Sequence, residues 1–271
     1  VATNQSEYDT IKRYMGPTGL DGQFDFVWYH ANSYRIFAYD EKRFLHLDYW
    51  THASLDQFKG STMVNYLGSH DTSRFVSMAT YRDPTPGSMW DRNTANNKWD
   101  RLPLAPIDDE PYDRQWLGTL SVFTMPGLPL LYYGDEYGEF GGGDPDNRHL
   151  MRLGNQLATR EKSQLDRVQR LLKARQSLRG LRRGKLVTAL LSEDLYAYAR
   201  PDDVPQQGAL VVLNRLSYSA TALVPIPSEL GWTASATIKD QLTGQTFTVP
   251  AAGGRLSIPV PARAGVVLSL Q

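Results

Sequence analysis

The stretch MVNYLGSHDTSRF, Met63–Phe75, passes from an apolar run into a histidine and an aspartate, and then into residues that suit the start of a helix. A strand that delivers polar side chains at its carboxyl end and hands over to a helix is the unit of a parallel βα fold, whose chemistry sits at that end of the strands. Two more apolar runs read the same way: FDFVWYH (Phe24–His30) and LPLLYYGDE (Leu128–Glu136) join TMVNYLGSH (Thr62–His70) as expected strands. Helix-compatible sequence follows each. The longest such segment, NQLATREKSQLDRVQRLLKARQSLRGL, brings Leu165, Val168, Leu171, Leu172 and Leu178 near one face at a 3.6-residue period.

Beyond about Lys185 the texture changes to short alternating runs, LYAYAR, GALVVLN, ATALVPI, SATIKDQLTGQTFTV and GVVLSL, parted by Gly, Pro, Asn and Asp. This pattern predicts a small antiparallel β-sandwich without helices. The expected organisation is therefore α/β followed by all-β, with domains at 1–184 and 185–271. Between the second and third expected strands, Asp83–Asp113 reads as a loop of roughly 30 residues carrying Trp90 and Trp99, and loops longer than about 15 residues are usually functional or disordered.

Composition narrows the function classes. The 271 residues are 41% hydrophobic, ample for a core, and carry 29 basic against 29 acidic side chains. Without a basic footprint, nucleic acid and anionic membranes are not expected partners, and a neutral ligand fits better. Cysteine is absent, which excludes disulfides and thiolate metal sites but leaves the compartment open. No apolar run reaches the ~18 residues of a membrane span.

His70 and Asp71 carry two readings. In one, Asp71 caps the following helix by accepting a backbone N–H and His70 is a hydrogen-bonded edge residue. In the other, both line a site at the carboxyl end of a parallel strand. Neighbouring motifs favour the second. VNYLGSHDTSRF resembles the fourth conserved region of the α-amylase family, glycoside hydrolase family 13. GLDGQFDF (Gly19–Phe26) resembles that family's sixth strand, and GLPLLYYGDEYG with GGGDPDNRHLMR (Gly127–Gly138, Gly141–Arg152) resembles its last strand and the loop after it. DQLTGQ and VPARAGVVLSL are similar to the sandwich that follows the barrel. By motif, the neopullulanase, cyclomaltodextrinase and maltogenic amylase group is the nearest, through Ser-His-Asp-Thr and Asp-Pro-Asp-x-Arg; where that group continues with a basic residue, Pro, Met and soon Trp, this chain has His149, Leu150, Met151 and Leu153.

The resemblance implies an α-glucan-active retaining hydrolase or transglycosylase, cleaving α-1,4 or α-1,6 glucosidic bonds, with Asp71 as the transition-state-stabilising carboxylate. It implies substrate contacts at His70, Asp144 and Arg148, while Tyr29 suits either sugar stacking or core packing. Arg148 and Asp144 equally suit a mutual salt bridge, and Asp135 and Glu136 a buried ion pair or hydrogen-bond anchor. Trp90 and Trp99 suit sugar stacking or loop packing. The family's nucleophile Asp and acid Glu lie upstream of any motif present here, so the chain is expected to be the C-terminal portion of a longer enzyme, holding strands six to eight. A closed (β/α)8 TIM barrel takes about 250 residues, and the βα part here is shorter. The partners implied are an α-glucan or maltooligosaccharide, the missing N-terminal part of the barrel, and a possible second copy. DPDN lacks the Gly and terminal Glu of a calcium loop, and the five histidines show no ligand spacing, so no metal or other cofactor is expected from these residues, calcium being compatible only with the complete enzyme. The rival class is a non-catalytic amylase-like scaffold or glucan-binding protein.

Overall fold

Tyr8 and Ile11, three residues apart in the first helix, bury one face of it against Val27, Phe58 and Met63. The computed structural model describes residues 5–271, and two compact units divide the chain: Val1–Gly118 with Gly127–Leu165, and Thr119–Pro126 with Asp166–Gln271.

In the first unit, α1 (Gln5–Lys12) is followed by a short helix α2 (Phe26–Trp28) that continues as a wide π-type helix over Tyr29–Ala38. Next, α3 (Phe44–Gln57) buries Phe44, Leu47, Thr51 and Ser54, the heptad stripe of an amphipathic helix. Strands β1 (Val64–Tyr66) and β2 (Leu128–Leu130) pair in parallel, Val64 opposite Leu128. Phe24 makes a single parallel bridge to Val64 on the other side of β1. Between the strands lie α4 (Phe75–Thr80), α5 (Arg92–Asn96) and α6 (Glu110–Thr124), and after β2 come two 3-10 turns, Asp146–Arg148 and Gly154–Gln156, and α7 (Thr159–Ser177).

Three expectations need correction here. FDFVWYH is not a strand beyond Phe24: Asp25 Oδ1 accepts the Trp28 N–H at 2.8 Å, an N-cap that turns the chain into α2. The other two parallel runs contribute only three residues each: after Tyr66 the chain turns between Ser69 and Thr72, and after Leu130 it enters a loop with left-handed glycines such as Gly134 (φ 86°). The region expected as one long loop holds α5, whose first turn Asp91 caps through the Asn93 N–H at 2.8 Å, and the start of α6. The parallel βα arrangement is thus present as a β1–β2 pair with one flanking bridge, and these strands do not themselves form a closed barrel.

The second unit is antiparallel. After the short helix α8 (Arg179–Arg183) come β3 (Val187–Leu191), β4 (Leu195–Arg200), β5 (Ala209–Asn214), β6 (Ala220–Pro225), β7 (Thr237–Asp240), β8 (Thr246–Thr248), β9 (Arg255–Val260) and β10 (Ala264–Leu270). Six form a sheet in the order β3-β4-β5-β10-β7-β8, and β6 pairs with β9 as a second sheet. Inward residues of both, including Leu210, Val212, Ala222, Val224, Ile258 and Leu268, share one core. Alternation along β9 places Leu256, Ile258 and Val260 inside and their neighbours outside. Only two 3-10 turns interrupt the strands, at Pro205–Gln207 and Ser228–Leu230.

This unit begins in sequence before its strands, because the later turns of α7 and the end of α6 pack with it: Arg175 Nη1 donates to the carbonyls of Phe123 and Leu181, both at 2.7 Å. On α7, Val168, Leu171, Ala174 and the following Leu178 are buried, while Leu172, expected on the same face, is exposed. No helix among the described residues is long and apolar enough to cross a membrane.

Candidate active site

At the carboxyl end of β1 the chain makes a tight turn before α4. The Ser69 N–H donates to Thr72 Oγ1 at 3.0 Å and the Asp71 N–H to Ser69 Oγ at 3.2 Å. Asp71 does not cap the helix: the N-cap position belongs to Arg74 and has no side-chain cap bond. Its carboxylate is 74% exposed and lies 3.2 Å from His70 Nε2. The backbone on both sides is held from the loop after β2, where buried Asn147 donates from Nδ2 to the carbonyls of His70 (2.8 Å) and Thr72 (2.7 Å). Arg148 Nη2 adds a bond to the His70 carbonyl at 3.2 Å.

The loop that carries Asn147 is itself anchored by Arg74. This fully buried guanidinium donates through Nε to the Asn147 carbonyl (2.8 Å) and through Nη1 to the Tyr133 carbonyl (2.5 Å) and Asp135 Oδ1 (3.1 Å). It also lies 4.1 Å from the Tyr132 ring centroid and 4.6 Å from that of Tyr133. Asp135 is thereby the buried ion-pair member that its sequence position suggested. Burial raises its carboxyl to about 7, the Arg74 charge and hydrogen bond pulling the other way. A second anchor fixes the end of the loop, where Arg152 joins buried Glu139 (3.0 Å) and Glu161 (2.6 Å).

Asp71 opens into a cleft of about 410 Å³ in the first unit. One side is a row of tyrosines, Tyr29, Tyr34 and Tyr39; Thr72, Ser73, Met78, Asn96 and Lys98 continue it, and Gly143 with Asp144 complete it. The five-residue spacing of the tyrosines explains the row. Positions five apart on an α-helix, at about 100° per residue, point roughly 140° from each other. In the wide helix closed by i to i+5 bonds, such as Tyr39 N–H to Tyr34 O at 2.7 Å, they return close to one face. Ring centroids of Tyr29 and Tyr34, and of Tyr34 and Tyr39, are accordingly 5.7 Å apart.

The five residues expected from sequence divide as follows. Tyr29, Asp71 and Asp144 share the cleft. Tyr29 is mostly buried, stacked on Tyr66 at 4.5 Å with rings nearly parallel, and hydrogen-bonded to Thr72; burial raises its phenol above the usual range. His70 and Arg148 are tied to the cleft through Asp71 and Asp144 rather than lining it. Arg148 Nε and Asp144 Oδ1 are 2.7 Å apart, both side chains about half exposed, so the salt bridge is present. Trp90 packs against Tyr81 at 5.8 Å, and Trp99 is 76% exposed. Sequence reading missed Arg74, Asn147, Tyr34, Tyr39, Asn96 and Lys98; among these only the five-residue tyrosine spacing was a readable signal.

No family model matches the chain. Individual proteins do. The chain is 31% identical to an amylopullulanase of Thermoanaerobacterium thermosulfurigenes over 219 residues, covering 77% of this chain and 10% of that protein. It is 32% identical to neopullulanase 2 of Thermoactinomyces vulgaris over 154 residues, covering 56% of this chain and 25% of that protein. The chain thus spans between a tenth and a quarter of the length of these curated relatives. Among solved structures, an Anoxybacillus α-amylase superimposes on 100% of the chain with a TM-score of 0.74 at 23% identity, using 51% of its own length, which is a likeness of fold. With Ser69-His70-Asp71-Thr72 closing β1, an Asp-Pro-Asp-Asn-Arg loop gripping that turn, and relatives of these names, the chain belongs to the α-amylase family, glycoside hydrolase family 13.

Proposed function

We propose that this chain is part of a retaining α-glucan hydrolase or transglycosylase, in which Asp71 stabilises the transition state, His70, Asp144 and Arg148 bind sugar, and Tyr29 backs the cleft wall. The observation that carries the reading is Asp71 itself: an exposed carboxylate whose only side-chain partner among the described residues is His70, presented into a cleft on a backbone bonded from both sides. A carboxylate engaged by His70 alone keeps its other acceptors available to sugar hydroxyls and to positive charge developing on the ring.

Retaining glycosidases use one carboxyl as nucleophile and a second as acid and then base, through an oxocarbenium-like transition state. Asp71 takes neither part. At about 4 Å from the developing charge and an effective dielectric near 20, a third carboxylate contributes up to roughly 4 kcal/mol, or about a thousandfold in rate. His70, 3.2 Å from Asp71, orients that carboxylate and donates to a neighbouring hydroxyl. Asp144 and Arg148, already joined, offer a paired acceptor and donor to a sugar further along the chain. No residue of this chain is assigned either of the two bond-making roles in this proposal.

The test is Asp71→Asn in the enzyme that carries this chain, with turnover and oligosaccharide affinity measured together. Turnover falls by roughly two to three orders of magnitude while affinity changes far less, as for an interaction made mainly in the transition state. Near-normal turnover would remove Asp71 from the chemistry and leave a glucan-binding scaffold.

A further inference from the structure

Lys98 and two of the three cleft tyrosines have no part in the function proposed above. Tyr29 is locked against Tyr66 and turned inward, whereas Tyr34 and Tyr39 remain partly exposed in the cleft. Tyr39 is braced from outside, with the Arg92 guanidinium 3.9 Å from its ring centroid, and that guanidinium held by Glu41 at 2.8 Å and by the Arg82 carbonyl at 2.8 Å. Lys98 runs across Gly143: a Cβ built there would sit 3.5 Å from Lys98 Cγ and 3.6 Å from Cε, in ordinary contact. Its ammonium makes no ion pair among the described residues, although Asp144 lines the same cleft, because Arg148 holds Asp144. The cleft therefore offers aromatic surface, a free triple donor and two carboxylates.

We infer that Tyr34, Tyr39 and Lys98 form a sugar-binding subsite of their own in this cleft, holding a glucose unit of an α-glucan beside the unit that Asp71 contacts. The inference rests on the α-glucan reading and deepens it. A pyranose ring presents apolar C–H faces to an aromatic wall and hydroxyls around its rim. The π-type helix supplies the wall by bringing residues five apart onto one side, and Lys98 supplies donors to the hydroxyls. With Asp144 paired to Arg148, the Lys98 ammonium is balanced by the Asp71 carboxylate and the cleft has no surplus positive charge, so the fitting ligand is neutral and rich in hydroxyls rather than an anion. A volume of about 410 Å³ lies in the range of ~300–1,000 Å³ usual for small-molecule sites.

Isothermal titration of the enzyme that carries this chain with maltotriose, at a temperature low enough to suppress turnover, tests this, using Tyr34→Ala, Tyr34→Phe and Lys98→Met, with Tyr49→Ala as a control at an exposed tyrosine of α3 outside the cleft. Wild type and Tyr49→Ala bind alike, Tyr34→Phe stays within about threefold, and Tyr34→Ala weakens binding about tenfold or more. Lys98→Met weakens it about threefold to tenfold, as for loss of a charged donor. Should Tyr34→Ala lose its cooperative melt, Lys98→Met decides alone. Wild-type binding that both Tyr34→Ala and Lys98→Met leave unchanged would overturn the subsite while sparing the α-glucan reading. Absence of wild-type binding would instead defeat that reading for the whole cleft, and glucose 1-phosphate binding more tightly than maltose would overturn the neutral-ligand assignment.

Discussion

Replacing Arg74 with methionine should destabilise the first unit by about 3–5 kcal/mol, the usual cost of removing one partner of a buried ion pair. The guanidinium is 1% exposed and its loss orphans the Asp135 carboxylate together with the carbonyls of Tyr133 and Asn147. Methionine keeps much of the apolar packing on Tyr132 and Tyr133, which holds the figure below the sum of three charged hydrogen bonds at ~1.5–3 kcal/mol each. The measurement is urea unfolding at pH 8, above the Asp135 value of about 7, so that the pair is mostly charged. Tryptophan fluorescence suits the purpose because five of the six tryptophans, Trp28, Trp50, Trp90, Trp99 and Trp116, belong to the first unit and only Trp232 to the second. A cycle with Asp135→Asn should show coupling of about 1.5 kcal/mol or more, and Arg74→Met with Asp135→Leu should recover much of the loss. A loss below about 1 kcal/mol, or strictly additive single changes, would refute the view that this pair anchors the loop.

Arg148→Ala should weaken longer maltooligosaccharides more than short ones, by roughly 1 to 3 kcal/mol for a lost charge-assisted hydrogen bond, with only a modest fall in melting temperature because the Asp144 pair is exposed; a sharp fall with unchanged chain-length preference would make the pair a brace. Asp135 predicts a pH dependence: its folded value of about 7 stands above the unfolded 3.8, so the folded state holds a proton that the unfolded chain has released. The stability this contributes is full below about 3.8 and is lost as pH rises through about 7, and urea midpoints from pH 4.5 to 8 should flatten in Asp135→Asn. In the second unit, Arg200→Met should cost about 2–4 kcal/mol, seen in the far-ultraviolet melt, because the buried guanidinium donates to the carbonyls of Thr124 and Gly184 and has no carboxylate partner among the described residues.

How far the sequence could be read depended on how local the deciding physics is. The β-rich part was legible because alternation in RLSIPV maps one-to-one onto the inward and outward residues of β9. FDFVWYH misled because a short apolar run carries no period that separates strand from helix, and one capping aspartate, Asp25, settles it for helix. That Asp71 and Asp144 share one cleft was readable from adjacency and motif. Arg74 and Asn147 were not, since their partners Asp135, His70 and Thr72 stand 61, 77 and 75 residues away in sequence. Tyr34 and Tyr39 were hidden by the assumption of 3.6 residues per turn, which scatters them over different faces.

These distant contacts explain how a free carboxylate can also be a fixed one. Side-chain hydrogen bonds would hold Asp71 still, but each would occupy an oxygen that the proposed role needs for substrate. Here the restraint falls on the backbone instead: Asn147 holds the carbonyls flanking Asp71, Arg74 holds the Asn147 carbonyl, and Asp135 holds Arg74. The charged members of that relay are buried, while the exposed end presents Asp71 with its acceptors open apart from His70. In the role proposed for Asp71, such preorganisation would place the charge before the reaction needs it and spare reorganisation during the step. It follows that damage at Arg74 reaches Asp71 through two peptide carbonyls, so an Arg74 variant stable enough to assay should lose turnover without any change in the carboxylate itself.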